Sequence, residues 1–236
     1  MGKIRLDKYL ADMGLGTRTE VKKDIKKGRI SVNQEIIKSP EYKIDIQTDV
    51  VLADGKEIAY EKMVYYMLNK PQGVVSATED RRDRTVLELI QEKKRKDLFP
   101  VGRLDKDTEG LLLITNDGEL AHNLLSPKKH ISKTYRVLTK EKITDRQLTS
   151  LQNGVDIGEK NLTQEAVVEK IDEKEILLTI YEGKFHQVKR MLKAVDNEVV
   201  YLERLKMGQL SLDDTLDRGD FRKLTQEEIL VLKSGK

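Results

Sequence analysis

Residues 102–118 read GRLDKDTEGLLLITNDG, and this stretch decides how the larger part of the chain is interpreted. It opens with a glycine-bounded loop that carries the carboxylates Asp105, Asp107 and Glu109 and the cations Arg103 and Lys106. The apolar run that follows predicts a buried strand, and the Asn-Asp-Gly triplet after it predicts a turn. Loops held by a rigid strand often carry catalytic groups. The residues alone leave two interpretations open, a catalytic loop or turn formers on a solvated surface.

Strand and helix patterns alternate on both sides of this loop. The predicted strands are MVYYMLN, GLLLIT, TYRVLT and EILLTIY. The predicted helices span residues 85–96, 119–125, 144–153 and 187–195. Mixed elements at this spacing indicate an α+β fold, and we predict one domain over residues 61–236.

Residues 1–60 show a different pattern and are predicted to form a separate small domain. Apolar residues at helical spacing predict a short first helix, and Thr17 with Glu20 forms a capping-box pattern that starts a second, which Gly28 ends. Short strands follow, with a hairpin signal at Asp54-Gly55. Residues 1–43 hold eleven basic against six acidic side chains, whereas residues 61–236 are nearly balanced. The positive excess is therefore local to the amino-terminal end.

Composition excludes several classes of site in this 236-residue chain. Hydrophobic residues make up 38% and charged residues 36%, which favours folded domains over disorder. Cysteine is absent and no two of the three histidines have a metal-ligand spacing, so we expect neither thiol chemistry nor a metal site. Phosphate-binding, dinucleotide-binding and nucleophile-elbow motifs are also missing. No run is apolar enough to predict a membrane span, and the expected location is the cytoplasm.

The stretch RLDKYLADMGLGTRTEVKKDIKKGRISVN, residues 5–33, resembles the S-four RNA-binding domain, and the resemblance extends over roughly residues 3–58. Such a domain has no chemistry of its own and would hold RNA through phosphates. The candidate RNA contacts are Arg5, Arg18, Lys22, Lys26 and Arg29. Without the resemblance, the basic side chains of the second helix are better explained as a solvated face.

Five motifs in order resemble the pseudouridine synthases of the small-subunit ribosomal RNA type. They are the GRLD stretch above, LNKPQGVVSAT (68–78), KTYRV (133–137), EGKFHQVKRML (182–192) and LERLKMGQLSL (202–212). The resemblance implies a catalytic domain with a mixed, mostly antiparallel sheet flanked by helices, preceded by the S-four-like αα-β domain. It also implies that no cofactor is needed, since the reaction rearranges uridine without redox change.

The same resemblance assigns roles to individual residues. Asp105 is the expected catalytic carboxylate, and Lys189 the cation that pairs with it. Tyr135 is expected to stack on the uracil, Leu202 to pack near that ring, and Arg103 to hold or replace the extruded base. From the residues alone, Lys189 is a helix-surface cation, Tyr135 a half-buried strand residue and Leu202 a core residue. For a further set of basic residues the sequence allows two interpretations, since they could line a path for the RNA or belong to a solvated surface. They are Lys128, Lys129, His130, Lys133 and His186.

These implications predict an enzyme that isomerises a specific uridine in ribosomal RNA, most directly in the small (16S) subunit. The expected partner is ribosomal RNA or an assembling small subunit, with the protein acting as a monomer away from membranes. Alternatives remain at this stage: a large-subunit (23S) enzyme, a non-catalytic ribosome-assembly factor, or a glycosylase that releases uracil. The intact GRLD, KTYRV and QVKR elements weigh against the assembly factor.

Overall fold

A computed structural model describes residues 3–91 and 95–234, which separate into two compact units. The first extends to Val64 and also contains Gln91–Leu98; the second contains Tyr65–Ile90 and the chain from Phe99 onward. The sequence pattern predicts a single boundary near residue 60. The return of residues 91–98 to the first unit is not visible in that pattern.

The first unit is built from two short helices and small strands. A four-stranded sheet has the order β3-β2-β5-β6, and β1 pairs with β4. The elements are β1 (Ile4–Arg5), α1 (Leu6–Asp12), α2 (Arg18–Lys26), β2 (Ile30–Val32), β3 (Glu35–Ile36), β4 (Lys43–Ile44), β5 (Val51–Ala53) and β6 (Lys56–Glu57).

Local signals in the sequence account for these elements. The Thr17 hydroxyl accepts a hydrogen bond from the Glu20 amide at 3.3 Å, and the Glu20 carboxylate accepts one from the Thr17 amide at 2.6 Å. This confirms the predicted capping box at the start of α2. Asp54 and Gly55 both have positive φ, as a tight turn between β5 and β6 requires. Leu10 and Ile25 are fully buried where α1 packs on α2.

Arg95 fastens the returning segment inside the first unit. Its side chain is only 4% exposed and donates to the Asp97 carboxylate at 2.8 and 2.6 Å. It also donates to the Glu61 carbonyl at 2.8 Å and lies 5.6 Å from the centre of the Tyr60 ring. A buried guanidinium needs such partners, because its desolvation is otherwise costly. Residues 91–98 are therefore an integral part of this unit.

The second unit is a large sheet with helices. Its strands are β7 (Tyr65–Lys70), β8 (Phe99–Pro100), β9 (Glu109–Thr115), β10 (Lys133–Thr139), β11 (Val167–Asp172), β12 (Glu175–Ile180), β13 (Val199–Met207), β14 (Leu210–Ser211) and β15 (Phe221–Lys223). Its helices are α3 (Val86–Leu89), α4 (Gly118–Leu125), α5 (Asp145–Asn153), α6 (Gln187–Ala194) and α7 (Gln226–Ser234).

The strand order is β11-β12-β10-β13-β9-β7-β15, with β14 on β13 and β8 on β9. All neighbours are antiparallel except β13 and β9, which are parallel over two residue pairs, Glu203 with Glu109 and Arg204 with Gly110. Two antiparallel halves thus meet at one short parallel seam. The loop at 102–108 runs directly into this seam.

Most predicted elements of this unit are present, and the α+β class with a mixed, mostly antiparallel sheet is confirmed. The helix predicted for residues 85–96 is wrong in length, since α3 ends at Leu89. The chain leaves the helical conformation at Ile90 and continues into the first unit, and part of the predicted helix lies outside the described residues. Strands β11, β13 and β15 were not predicted.

Within residues 3–91 and 95–234, no helix has the length and apolarity required to cross a bilayer.

Candidate active site

The loop at 102–108 is held in place by hydrogen bonds to its backbone. The Lys70 ammonium, fully buried at the end of β7, donates to the carbonyls of Asp105 at 3.0 Å and Thr108 at 2.9 Å. The Ser76 hydroxyl donates to the Leu104 carbonyl at 2.8 Å and accepts from the Leu104 amide at 3.1 Å. Burial lowers the pKa of Lys70 to about 8, against the raising effect of nearby carboxylates. The loop is therefore rigid on the side away from solvent.

Glycine is required where the loop enters β9. Gly110 has a φ of +97°, and a Cβ there would lie 2.3 Å from the carbonyl oxygen of Arg204. No side chain fits at that distance, so glycine is what lets β9 approach β13 at the seam. This contact sets the loop directly beside the strand that carries Leu202 and Arg204.

Asp105 lies between two basic side chains of the QVKR region. One carboxylate oxygen accepts from the Lys189 ammonium at 2.9 Å, and the other lies 3.4 Å from Nε2 of His186. Lys189 also donates to Asp107 at 2.6 Å. Burial works to lower the pKa of Lys189, but the bonds to Asp107 and Asp105 outweigh it and raise the pKa. The predicted pairing of Lys189 with Asp105 is present in the geometry.

Lys189 lies in the first turn of α6, where a cation is opposed by the positive end of the helix dipole. Two carboxylates, Asp105 and Asp107, compensate this charge. Asp107 is affected in turn: burial acts to raise its pKa, but Lys189 overcomes that effect and lowers it. The three groups form one electrostatic unit at the mouth of a cleft.

The cleft has a volume of about 570 Å³ and is lined on one side by the loop and on the other by α6 and the segment before it. Its floor comes from alternate residues of two neighbouring strands, Lys133 and Tyr135 on β10 and Leu202 and Arg204 on β13. All four side chains are at least nine-tenths buried. Tyr135 and Arg204 are register partners, so their side chains lie side by side on one face.

The rim of the cleft carries exposed groups. The Phe185 ring is 68% exposed and stacks on the His186 ring at 3.8 Å between centres. Arg190 donates to the Phe185 carbonyl at 2.9 Å, which fixes the backbone beneath the ring. Arg103, on the loop, is exposed and also lines the cleft. These groups give the opening one flat aromatic surface and one cation.

Comparison with known proteins bears on this site. A family model described as RNA pseudouridylate synthase matches residues 64–194, and an S4 domain model matches residues 4–51. The chain belongs to the RNA pseudouridylate synthase family. The family and the S4 domain that the motifs predicted are thereby confirmed, and the protein is an isomerase.

Relatives match this synthase along nearly its whole length. It is 50% identical over 234 residues to an uncharacterised RNA pseudouridine synthase of Bacillus subtilis, which covers 97% of the chain and 98% of that protein. It is 44% identical over 227 residues to the ribosomal small subunit pseudouridine synthase A of Vibrio cholerae, covering 96% and 98%. A crystal structure of a pseudouridylate synthase has a TM-score of 0.70 and 38% identity, covering 97% of this chain and 99% of that one.

The synthase brings all the catalytic-domain residues predicted from its motifs to one cleft. Arg103, Asp105, Tyr135, Lys189 and Leu202 all line it. Their roles in catalysis remain predictions, since the geometry places them together without showing a reaction. The third carboxylate of the loop, Glu109, points elsewhere: it accepts from Tyr201 and from Arg218, each at 2.8 Å.

The sequence patterns assign no role to three residues of this region: Lys70, which binds the loop, and Phe185 and Arg204, which line the cleft. Lys70 stands within the motif LNKPQGVVSAT, which does not indicate that this side chain holds the loop in place. Phe185 was not singled out, and Arg204 was hidden inside an apolar strand. The sequence leaves Lys133, with Lys128, Lys129 and His130, open between an RNA path and a solvated surface. The structure excludes the solvated surface for Lys133, because its alternation with Tyr135 places it on the buried face that lines the cleft. That period-2 pattern was the available signal.

The predicted RNA contacts of the first unit differ in how free their charges are. Arg5 donates to Asp7 at 2.8 Å and to Glu41 at 3.1 Å. Arg29 binds Asp24 at 2.7 Å and also pairs with Asp54. The charges of three further predicted contacts are paired weakly or not at all. Lys22 lies 3.7 Å from Asp7, while Arg18 and Lys26 are exposed and form no ion pair within residues 3–91 and 95–234. Their contact with RNA remains a prediction.

Among the described residues, no group of three or more His, Cys, Asp or Glu side chains has an arrangement that could hold a metal ion.

Proposed function

We propose that this synthase converts a specific uridine of small-subunit ribosomal RNA to pseudouridine, with Asp105 acting at C1′ of a nucleotide turned out into the cleft. Relatives named for the small ribosomal subunit, at 40–44% identity over nearly the full chain, support the choice of RNA. The observation that carries the chemistry is the position of Asp105, at the mouth of a cleft with a buried aromatic side chain in its floor.

The reaction needs four bond changes, and the cleft supplies groups suited to the two that involve C1′. The N1–C1′ bond breaks and its electron pair stays on the uracil. The base turns while bound, a C5–C1′ bond forms, C5 loses a proton and N1 gains one. A carboxylate such as Asp105 can add to C1′ or stabilise positive charge there. Tyr135 offers a ring face on which the base stacks, and such stacking contributes about 1–3 kcal/mol.

Groups around the opening suit the handling of an extruded base. Extrusion costs a few kcal/mol, about the size of one stacking or charged contact. Arg103 is exposed, lines the cleft and makes no hydrogen bond within the described parts of the chain, so it is available to RNA. The S4 unit adds the exposed cations Arg18 and Lys26 as a docking surface for phosphates.

The test is substitution of the proposed catalytic carboxylate. Asp105→Asn preserves size and removes the charge, and we expect it to bind ribosomal RNA while forming no pseudouridine, as read by carbodiimide adduct mapping. Asp107→Asn is the matched control, because Asp107 also binds Lys189 but is 69% exposed, and it should retain most activity. Product from Asp105→Asn at the wild-type level would exclude the assignment.

The choice of target is tested by the same mapping. Unmodified small-subunit and large-subunit ribosomal RNA are offered separately, as free RNA and as assembling particles. Pseudouridine in the small-subunit RNA alone is the expected result, and product confined to the large-subunit RNA would refute that part of the proposal. Assay of free uracil separates isomerisation from a glycosylase, which would release the base.

A further inference from the structure

Lys133 and Arg204 place two positive charges in the floor of the cleft, close enough for Arg204 to act electrostatically on Lys133. Lys133 is 8% exposed and Arg204 is 2% exposed. Neither forms an ion pair with a carboxylate in residues 3–91 or 95–234. Lys133 donates only to the Ile131 carbonyl at 3.2 Å, and Arg204 donates through Nε to the Leu111 carbonyl at 2.8 Å. The buried Nη2 of Arg204 has no hydrogen-bond partner within the described residues.

Such an arrangement is costly without an anion. Burying a charge is unfavourable by several kcal/mol unless an opposite charge offsets it, and two adjacent like charges add to this cost. The carboxylate that acts on Lys133 is already engaged: Glu182 accepts from the Gln164 amide and from the Gln187 side chain, both at 2.9 Å, and lies 3.6 Å from the Lys184 ammonium. The floor of the cleft is therefore electrostatically incomplete in the protein alone.

The proposed reaction supplies a transient anion at this place. When the N1–C1′ bond breaks, both of its electrons remain on the base, and the charge spreads over N1 and the two carbonyl oxygens. The negative charge persists while the base turns and is lost when C5 forms its bond to C1′, after which loss of the C5 proton and gain of a proton at N1 complete the isomerisation. Lys189 cannot serve this charge as well, because Asp105 and Asp107 already occupy it.

We propose that Lys133 and Arg204 form an anion site for the detached uracil, stabilising its negative charge through cleavage and rotation. This inference rests on the proposed function and assigns a second set of catalytic residues to it. Donors fixed in a water-poor cleft stabilise a developing charge strongly, because they need no reorganisation during the reaction. Tyr135, the register partner of Arg204, would hold the ring of the same base from beside them.

The protonation of Lys133 gives the site a pH signature. The pKa of Lys133 is lowered to about 8, mainly by burial and also by the charge of Arg204, while Glu182 acts in the opposite direction. The charged form is the active one in this proposal, so the rate at saturating RNA is constant below pH 8 and falls as the pH rises through that value. The other charged or titratable side chains lining the cleft are Arg103, Asp105, Lys106, Tyr135, Lys184, His186 and Lys189.

The experiment measures single-turnover rates of pseudouridine formation from pH 6 to 10 with saturating, unmodified ribosomal RNA of both subunits. Lys133→Met should lower the rate by roughly 100-fold, the usual effect of removing one charge-stabilising donor, with unchanged RNA affinity. Replacing a buried charge by an apolar side chain generally preserves folding, and circular dichroism verifies this. The matched control is Lys170→Met, an exposed lysine that also donates to a backbone carbonyl, at 3.3 Å.

The pH profiles distinguish charge stabilisation from proton transfer. Lys133→Arg should keep most activity and lose the fall near pH 8, because arginine stays charged. Should Lys133 act as a general base, the wild-type rate would instead rise through pH 8 and Lys133→Arg would be as slow as Lys133→Met, which overturns the proposal. An undiminished rate for Lys133→Met overturns it as well, even where Lys133→Arg does not fold. Activity on large-subunit RNA alone would refute the proposed target RNA. The ratios of variant to wild-type rates could then still be measured on the large-subunit RNA.

Discussion

The two units differ in where their paired and unpaired positive charges lie. In the first, the sequence is strongly basic, yet Arg5 and Arg29 are engaged by carboxylates of their own unit. In the second, the sequence is nearly neutral, yet Lys133, Arg204 and Arg103 line one cleft without an ion pair in the described residues. Charge balance along the sequence is therefore a poor guide to which cations are unpaired in the folded protein. Folding pairs some cations and leaves others unpaired.

The largest effect is expected at Lys189, the cleft lysine that is paired with Asp105. Lys189→Met leaves Asp105 and Asp107 facing each other without a cation, and it should lower the single-turnover rate by about 100-fold or more. The pKa of Asp107, which Lys189 now holds below its ordinary value, should rise, as carboxyl NMR titration would detect. Lys189→Arg is the control and should preserve the pair. Equal rates for the methionine and arginine variants would show that pairing is irrelevant to Asp105.

Lys70 tests what a buried cation does when its partners are backbone carbonyls. Lys70→Met leaves the carbonyls of Asp105 and Thr108 without their donor, and it should lower the free energy of unfolding by about 3 kcal/mol in urea titration. Lys174→Met, which removes an exposed lysine bonded to the Lys140 carbonyl, should change it by less than about 0.5 kcal/mol. A loss no greater than that of the control would mean that the loop does not depend on Lys70.

The same residue predicts a pH effect on stability. Because burial lowers the pKa of Lys70 to about 8 in the folded protein, the unfolded chain binds more protons between about pH 8 and the usual pKa of lysine. The free energy of unfolding should accordingly rise with pH across this window and be flat below it. Lys70→Met should show a smaller rise than the wild type, with the remainder arising from Lys133. An identical slope in both proteins would contradict the assignment.

Phe185 tests whether the rim contacts RNA beside the turned-out nucleotide. Its exposed ring suits stacking on a base, so Phe185→Ala should weaken RNA binding by about tenfold in filter-binding measurements. Phe185→Leu keeps the apolar area and loses the ring, which isolates stacking. Leu162→Ala, at another exposed apolar side chain (59% exposed), should leave the affinity unchanged. Full affinity in Phe185→Leu would rule out stacking as the contribution.

The smallest expected effect returns to the first unit. Lys26→Gln removes an unpaired cation and should reduce the salt slope of RNA binding by about 0.7, the value for one phosphate contact with single-stranded RNA. Arg29→Gln should leave the slope unchanged, because Asp24 and Asp54 already hold that guanidinium. Equal decreases in the salt slope for both variants would show that pairing with carboxylates does not determine which cations contact RNA. Point variants are preferable to removal of residues 1–59, since Gln91–Leu98 belongs to the same unit.

Short-range features of this fold could be predicted from the sequence, and long-range ones could not. The capping box at Thr17 and the turn at Asp54-Gly55 depend on residues within a few positions of each other. The helix predicted after Thr85 was too long, because the chain crosses to the other unit, which no local pattern records. Asp105 and Lys189 are 84 residues apart, and only the motif resemblance predicted their pairing. The alternation of Lys133 with Tyr135 is a local signal, but no local pattern records that the face they share lines a cleft.

The parallel pairing of β13 with β9 also determines when the cleft can form during synthesis of the chain. Residues 102–108 are synthesised long before β13 (Val199–Met207), which must insert between β10 and β9 to complete the sheet. At about 5–20 residues per second, the edge of β9 stays unpaired for on the order of 5–20 s on a translating ribosome. During that interval Lys133 and Tyr135 lack the β13 side of their cleft. A nascent chain of this synthase therefore cannot form the complete cleft until β13 has been made, and until then its unpaired β9 edge is open to non-native strand pairing.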